Sequence, residues 1–117
     1  MTGAVAYHAG KCAEDMVAML YTRSGRPIVA RRWRGISGEI DMIARDGKEV
    51  IFIEVKKSST HAIAAEHLSE RQMRRIVLAA SEFLGDEPNG QNTLSRFDVA
   101  LVDAFGRIEI LQNAFAA

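Results

Sequence analysis

The sequence predicts an α/β fold, a mixed β-sheet with helices packed against it. Apolar residues recur at helical spacing in two segments, 7–23 and 70–84. Other segments, rich in Ile, Val and Phe, are strand-length and bounded by turn residues. The resulting order is helix, three strands, helix, two strands. The 117 residues fit a single domain, 1–117, with one hydrophobic core.

In the first helix, Ala13, Val17 and Leu20, with Met16 and Ala6 nearby, form the expected apolar face. Ser24-Gly25 supplies the stop, because glycine past a helix end adopts the left-handed conformation without steric cost. RPIVARRWR, 26–34, reads as a strand, with Ile28, Ala30 and Arg32 facing one way and Val29, Arg31 and Trp33 the other. After a turn-rich break come two strands, 38–44 and 49–56, joined at Asp46-Gly47 as a hairpin. Residues 57–65 are polar and read as a loop. Ser69 is a candidate cap for a helix over 70–84, with Met73, Ile76, Val77, Ala80 and Leu84 on its apolar face. GDEPNGQN, 85–92, is a loop by every local signal. Strands over 96–102 and 107–111 close the chain, separated by a turn at 103–106.

Charge is neutral in sum and uneven in distribution. Residues 1–57 carry ten Lys/Arg against seven Asp/Glu, and residues 58–117 carry five against eight. The basic excess gathers at Arg23, Arg26, Arg31, Arg32 and Arg34. That is either a local nucleic-acid patch or a solvated surface. No apolar run approaches the roughly 20 residues of a membrane span, and the N-terminal segment lacks the pattern of a signal peptide. The single cysteine, Cys12, permits no intrachain disulfide. The expected location is the cytoplasm, without a membrane partner.

The hairpin raises the chemical question. With the turn centred on Asp46 and Gly47, Ala44 faces Glu49, Met42 faces Ile51, Asp41 faces Phe52 and Glu39 faces Glu54. Glu39, Asp41, Glu54 and Lys56 then share one face, and Ile40, Met42, Ile51, Ile53 and Val55 line the other. Charged groups in a buried sheet are costly unless they are paired or bind a metal. Asp41 and Glu54 could supply carboxylate oxygens to Mg²⁺ or Mn²⁺, with the Val55 carbonyl as a third ligand. Lys56 would stand beside the attacking water and a phosphoryl group. An ion-pair network without a metal would account for the same residues. Glu39 reads as a supporting or structural carboxylate.

The order Glu14 … Gly38-Glu39-Ile40-Asp41 … Ile53-Glu54-Val55-Lys56, with Arg96-Phe97-Asp98-Val99 and Ile108-Glu109-Ile110, resembles the YraN-like family of uncharacterised bacterial proteins. That family is similar to restriction-endonuclease-like nucleases, archaeal Holliday-junction resolvases in particular. The resemblance covers nearly the whole chain. It implies a single-domain, three-layer α/β/α restriction-endonuclease-like fold with a central mixed β-sheet. It also implies catalytic roles for Asp41, Glu54, Lys56 and Gln72, and metal ligation by Glu14, Asp41, Glu54 and Val55. This chain departs from its relatives at Ala13, Ser58 and Arg71, where they carry Gly, Arg and Lys.

The remaining candidates are weaker. Glu14 could equally be a surface carboxylate, and Gln72 a solvated residue among Arg71, Arg74 and Arg75. Trp33 could stack on a base or anchor its strand in the core. His8, His61 and His67 show no metal-ligand spacing, and Cys12 reads as a packed small residue. The expected function is metal-dependent hydrolysis of phosphodiester bonds in DNA, including branched DNA. Arg31, Arg32, Arg34, Arg71 and Arg75 would contact the nucleic acid. A non-catalytic nucleic-acid-binding protein of the same fold is the alternative. An interaction protein that touches no nucleic acid is a third reading. Junction-cutting relatives are symmetric dimers, so a homodimer is also open.

Overall fold

The computed structural model describes the backbone of residues 3–116 and the side chains of residues 12–116. Ala6 and His8 therefore fall outside the described side chains. The chain runs α1 (Gly3–Arg23), β1 (Ile28–Arg34), β2 (Glu39–Asp46), β3 (Glu49–Lys57), α2 (His61–Glu66), α3 (Glu70–Leu84), a 3₁₀ turn (Gly90–Asn92), β4 (Ser95–Val102) and β5 (Ile108–Phe115).

The sheet order is β1-β2-β3-β4-β5. Neighbouring strands are antiparallel except β3 and β4, which run parallel. Parallel neighbours need a long crossover, and α2 and α3 provide it. Helix α1 covers one face through Ala13, Val17 and Tyr21, packed on Met42, Ala44, Ile51, Ile53, Ala100 and Val102. On the other face α3 packs Ile76, Ala79, Ala80 and Leu84 against Ile43, Val50, Phe52 and Phe97. Ala64 of α2 meets Val99 and Leu101 beside it. The result is a three-layer α/β/α fold around a central mixed sheet, the restriction-endonuclease-like arrangement. Among the described residues, no helix is long and apolar enough to cross a membrane.

Several local expectations need correction. The buried face of α1 is Ala13, Val17 and Tyr21 at spacings of four, whereas Met16 is exposed and Leu20 only half-buried. The polar stretch 57–65 holds a short helix, α2. Its start is capped by Thr60, whose Oγ1 accepts a hydrogen bond from the Ile63 N–H at 3.1 Å. Composition hid this helix because a single buried alanine anchors it. Strand β5 extends four residues past the expected end at Leu111. An irregularity in its pairing with β4 carries it on, and Asn113 there takes a φ of 48°. Phe115 thereby reaches Phe97 and stacks on it at 4.9 Å. Helix α3 starts as expected, with Ser69 Oγ accepting from the Gln72 N–H at 3.1 Å.

Candidate active site

The site is built where β2 and β3 part. Their turn is centred on Gly47 and Lys48, with Gly47 at a φ of 60°. Glycine tolerates positive φ at the first central position of a tight hairpin turn. The turn therefore moves one residue from the expected Asp46-Gly47, and every cross-strand pair moves by two. Ala44 faces Ile51 rather than Glu49, and Met42 faces Ile53 rather than Ile51. Because the pleat has a period of two, the shift keeps Glu54 and Lys56 on their expected face and brings Asp41 toward Glu54.

The regular ladder between these strands ends at Met42 and Ile53. Beyond it the Asp41 Oδ2 accepts the Val55 N–H at 2.8 Å, so a side chain replaces the missing ladder bond. Alternation also breaks here. Ile40 packs with α3, Trp33 and Ala30, whereas Met42 packs with α1. The expectation that Ile40 and Met42 share a face therefore fails. On β1 the matching break falls at Arg32, which has a φ of 50°. The register pairs Arg31 with Met42 and Trp33 with Ile40, which sets Arg32 opposite Asp41. Both strands turn over at the same level, and Asp41 is released from the regular pleat.

Glu54 is buried at the centre of this feature. Gln72, in the first turn of α3, donates its side-chain amide to Glu54 Oε1 at 3.3 Å. Lys56 Nζ lies 3.8 Å from the same oxygen. Burial first, then the hydrogen bond and charge of Asp41, push the Glu54 carboxyl up to about 9 from its ordinary 4.5. Lys56 works against that shift, and Glu14 adds to it weakly. Desolvation and like charge both disfavour the ionised carboxylate. The structure thus brings together Asp41, Glu54, Val55, Lys56 and Gln72.

Glu14 acts on Glu54 through its charge and is itself held by arginines. Its Oε2 takes Arg32 Nη2 at 3.1 Å and lies 3.9 Å from Arg31 Nη2. Among the described residues, no group of three or more His, Cys, Asp or Glu is arranged to hold a metal ion. The arginines divide into two sets. Arg31 pairs with Asp15 at 2.8 Å, and Arg34 with Glu39 at 3.0 Å. Arg71, Arg74 and Arg75 are exposed on α3, with no ion pair to any described residue. Trp33 packs edge-on to Phe83 at 5.5 Å, an anchor in the core rather than a free stacking platform.

Sequence reasoning missed a second polar cluster. Asp98, fully buried on β4, accepts the Tyr21 hydroxyl at 2.7 Å, Arg96 Nε at 3.1 Å and the Asn113 N–H at 3.0 Å. Arg96 also reaches Glu49 at 2.8 Å. Burial, then the bond to Asp98, push the Tyr21 hydroxyl far above its usual range. Arg96 and Asp98 two apart on one strand were a legible same-face pair, but Tyr21 carried no sequence signal beyond its helical spacing.

The five-stranded mixed sheet with helices on both faces defines an α/β domain of restriction-endonuclease-like fold, in which Asp41, Glu54 and Lys56 gather where β2 and β3 part. The chain belongs to the Uncharacterised protein family UPF0102, whose model matches residues 13–102. A UPF0102 protein of Cereibacter sphaeroides strain KD131 is 71% identical over the full length of both chains. One from Ruegeria pomeroyi is 59% identical over 92% of this chain and 87% of the relative. One from Dinoroseobacter shibae is 40% identical over 95% and 83%.

Proposed function

We propose that this protein is a metal-dependent nuclease that hydrolyses phosphodiester bonds in DNA, including branched DNA. The observation that carries the reading is the convergence of Asp41, Glu54, Lys56 and Gln72 where β2 and β3 separate. The donor set fits a hard divalent cation such as Mg²⁺ or Mn²⁺, which binds through one or two carboxylates plus water and substrate oxygens. The close approach of Asp41 and buried Glu54, which raises the Glu54 carboxyl, is one that a cation would relieve. Bound there, the metal would polarise a phosphoryl oxygen and make water a stronger nucleophile.

The chain's own groups have distinct tasks. Asp41 is fixed by the Val55 N–H, and Glu54 by the Gln72 amide, so both carboxylates are pre-oriented. Lys56 is placed to hold the attacking water and to meet negative charge as it develops on the phosphoryl group. Arg71 and Arg75, exposed on α3, would take the flanking phosphates, with Arg31, Arg32 and Arg34 of β1. Phosphate contacts fix register without reading sequence. A homodimer would offer two such sites to a two-fold substrate, and the cytoplasm is the expected compartment.

The second reading is a nucleic-acid-binding protein of nuclease fold without turnover. The engagement of Glu14 by Arg32 and Arg31 favours it, since that leaves two carboxylates for the metal. Labelled linear, flap and four-way-junction DNA, with Mg²⁺ or Mn²⁺ and with chelator, would separate the two. The nuclease reading expects metal-dependent products that vanish with Lys56→Ala. Salt-sensitive binding without products from either protein would move the conclusion to the binding reading.

A further inference from the structure

The loop joining β1 and β2 carries an isoleucine that touches nothing. Ile36 is 99% exposed, the most exposed of the large apolar side chains among the described residues. Phe105, next in exposure at 80%, has the Arg107 guanidinium over its ring at 5.0 Å. An apolar tip is unremarkable on a floppy loop, but this loop is fastened. Gly35 N–H donates to the Gly38 carbonyl at 2.9 Å and closes the hairpin. Glu82, on α3, accepts from the Ile36 N–H at 2.8 Å and from the Ser37 N–H at 3.0 Å. Those two backbone bonds hold the Glu82 carboxyl below its usual range. Gly35 is required at this point, because a Cβ there would stand 2.6 Å from Glu82 Oε2 and 2.9 Å from the Trp33 ring. The backbone under Ile36 is therefore clamped to α3, and its side chain is aimed into solvent.

The position of the loop sets its partner. Arg34 and Glu39 pair across its base, and a Cβ on Gly38 would lie 3.4 Å from the Arg75 Cβ. Exposed Arg34 and Arg75 thus flank the tip. Ile36 precedes Asp41 by five residues, at most about 17 Å along extended chain. Successive nucleotides in a strand are about 3.4 Å apart, so the tip reaches no more than about five steps from the candidate cleavage point. Fixed apolar side chains flanked by cations enter nucleic acid between bases and unstack them. A branch point or nick is the cheapest place to do so, because stacking there is already interrupted.

We propose that Ile36 is a wedge that inserts between bases at an interruption in duplex DNA and sets the preference of the site for branched or nicked substrate. The inference rests on the nucleic-acid reading given above and adds a specificity residue to it.

The test uses the full chain in Ca²⁺ with 2-aminopurine placed at the centre of a four-way junction and within a linear duplex of matching sequence. Wild type is expected to raise 2-aminopurine fluorescence severalfold on the junction and little on the duplex. Ile36→Ala should bind both DNAs yet lose that rise, with junction affinity reduced roughly tenfold from the lost apolar contact. Ile36→Leu should restore both. Because Ile36 packs against nothing, the thermal midpoint of each variant should match wild type, which separates the effect from misfolding. An undiminished fluorescence rise with Ile36→Ala would overturn the wedge and leave the DNA-binding reading intact. Failure of wild type to bind either DNA would overturn both.

Discussion

Two buried carboxylates sit one strand apart, and they are treated in opposite ways. Asp98 on β4 faces α1 and is fully satisfied by a tyrosine hydroxyl, an arginine and a backbone N–H. Glu54 on β3 faces α3, with one long amide bond, a lysine 3.8 Å away and a second carboxylate beside it. The first arrangement is what stability requires of a buried charge. The second leaves a carboxyl that is hard to ionise and open to a cation. The contrast separates a satisfied structural cluster from the proposed functional one without appeal to any relative. The open cluster also lies at the level where β1 and β2 abandon regular alignment, at Arg32 and Asp41.

Mutations at the two carboxylates should have effects of opposite sign. Asp98→Ala leaves the Tyr21 hydroxyl without its partner in the core, takes one of the two carboxylates from Arg96 and removes the tie to Asn113. The expected loss is about 3–5 kcal/mol in urea unfolding. A loss below about 1 kcal/mol would break the comparison.

Glu54→Gln should do the reverse. The folded protein holds the Glu54 proton more tightly than the unfolded chain. Stability contributed by that proton is complete below about pH 4.5 and is lost as pH rises toward about 9. At pH 7 and without divalent metal, the variant should therefore gain up to about 3 kcal/mol. Its stability should also lose the wild-type decline across that window. Urea melts at several pH values would show this. Matching pH slopes for the two proteins would contradict it. A gain in stability with loss of activity is the usual mark of a functional group held at a cost.

Tyr21→Phe tests the structural cluster more gently. It removes one hydrogen bond to a charged acceptor and keeps the ring, for an expected loss of about 1.5–3 kcal/mol. Ser69→Ala should have the smallest effect, about 1 kcal/mol, through loss of the α3 cap. It sharpens the comparison because Gln72 lies in the capped turn. A loosened helix start should weaken the hold on Glu54 and leave Asp98 untouched.

The fold was largely legible in sequence because its longer elements are strongly patterned. Helix α3 has Ser69 at its start, and Ile76, Ala80 and Leu84 of its expected apolar face are buried, with Ala79 beside them. The hairpin strands are dense in β-branched residues. Legibility failed where tertiary contacts decide. Helix α2 is held by Ala64 and a threonine cap within a polar stretch. The extension of β5 depends on the Asp98 bond to Asn113, 15 residues away in the chain. At the site, the shared face of Glu54 and Lys56 was readable because residues two apart on one strand share a face whatever its register. The Asp41–Val55 bond was not readable, because nothing local reports where two strands part. The pairing of Glu14 with Arg31 and Arg32 was equally hidden, since it joins a helix to a strand edge.

The most direct test of the central claim is the thermal midpoint at pH 8 with and without Mn²⁺, for wild type and Asp41→Asn. Ligands must be deprotonated to bind a metal, so the cation should displace the Glu54 proton and stabilise the fold. The account predicts a saturable rise in midpoint for wild type, with proton release, and little or none for Asp41→Asn. An equal response from both proteins, or none from wild type, would contradict a metal site at Asp41 and Glu54.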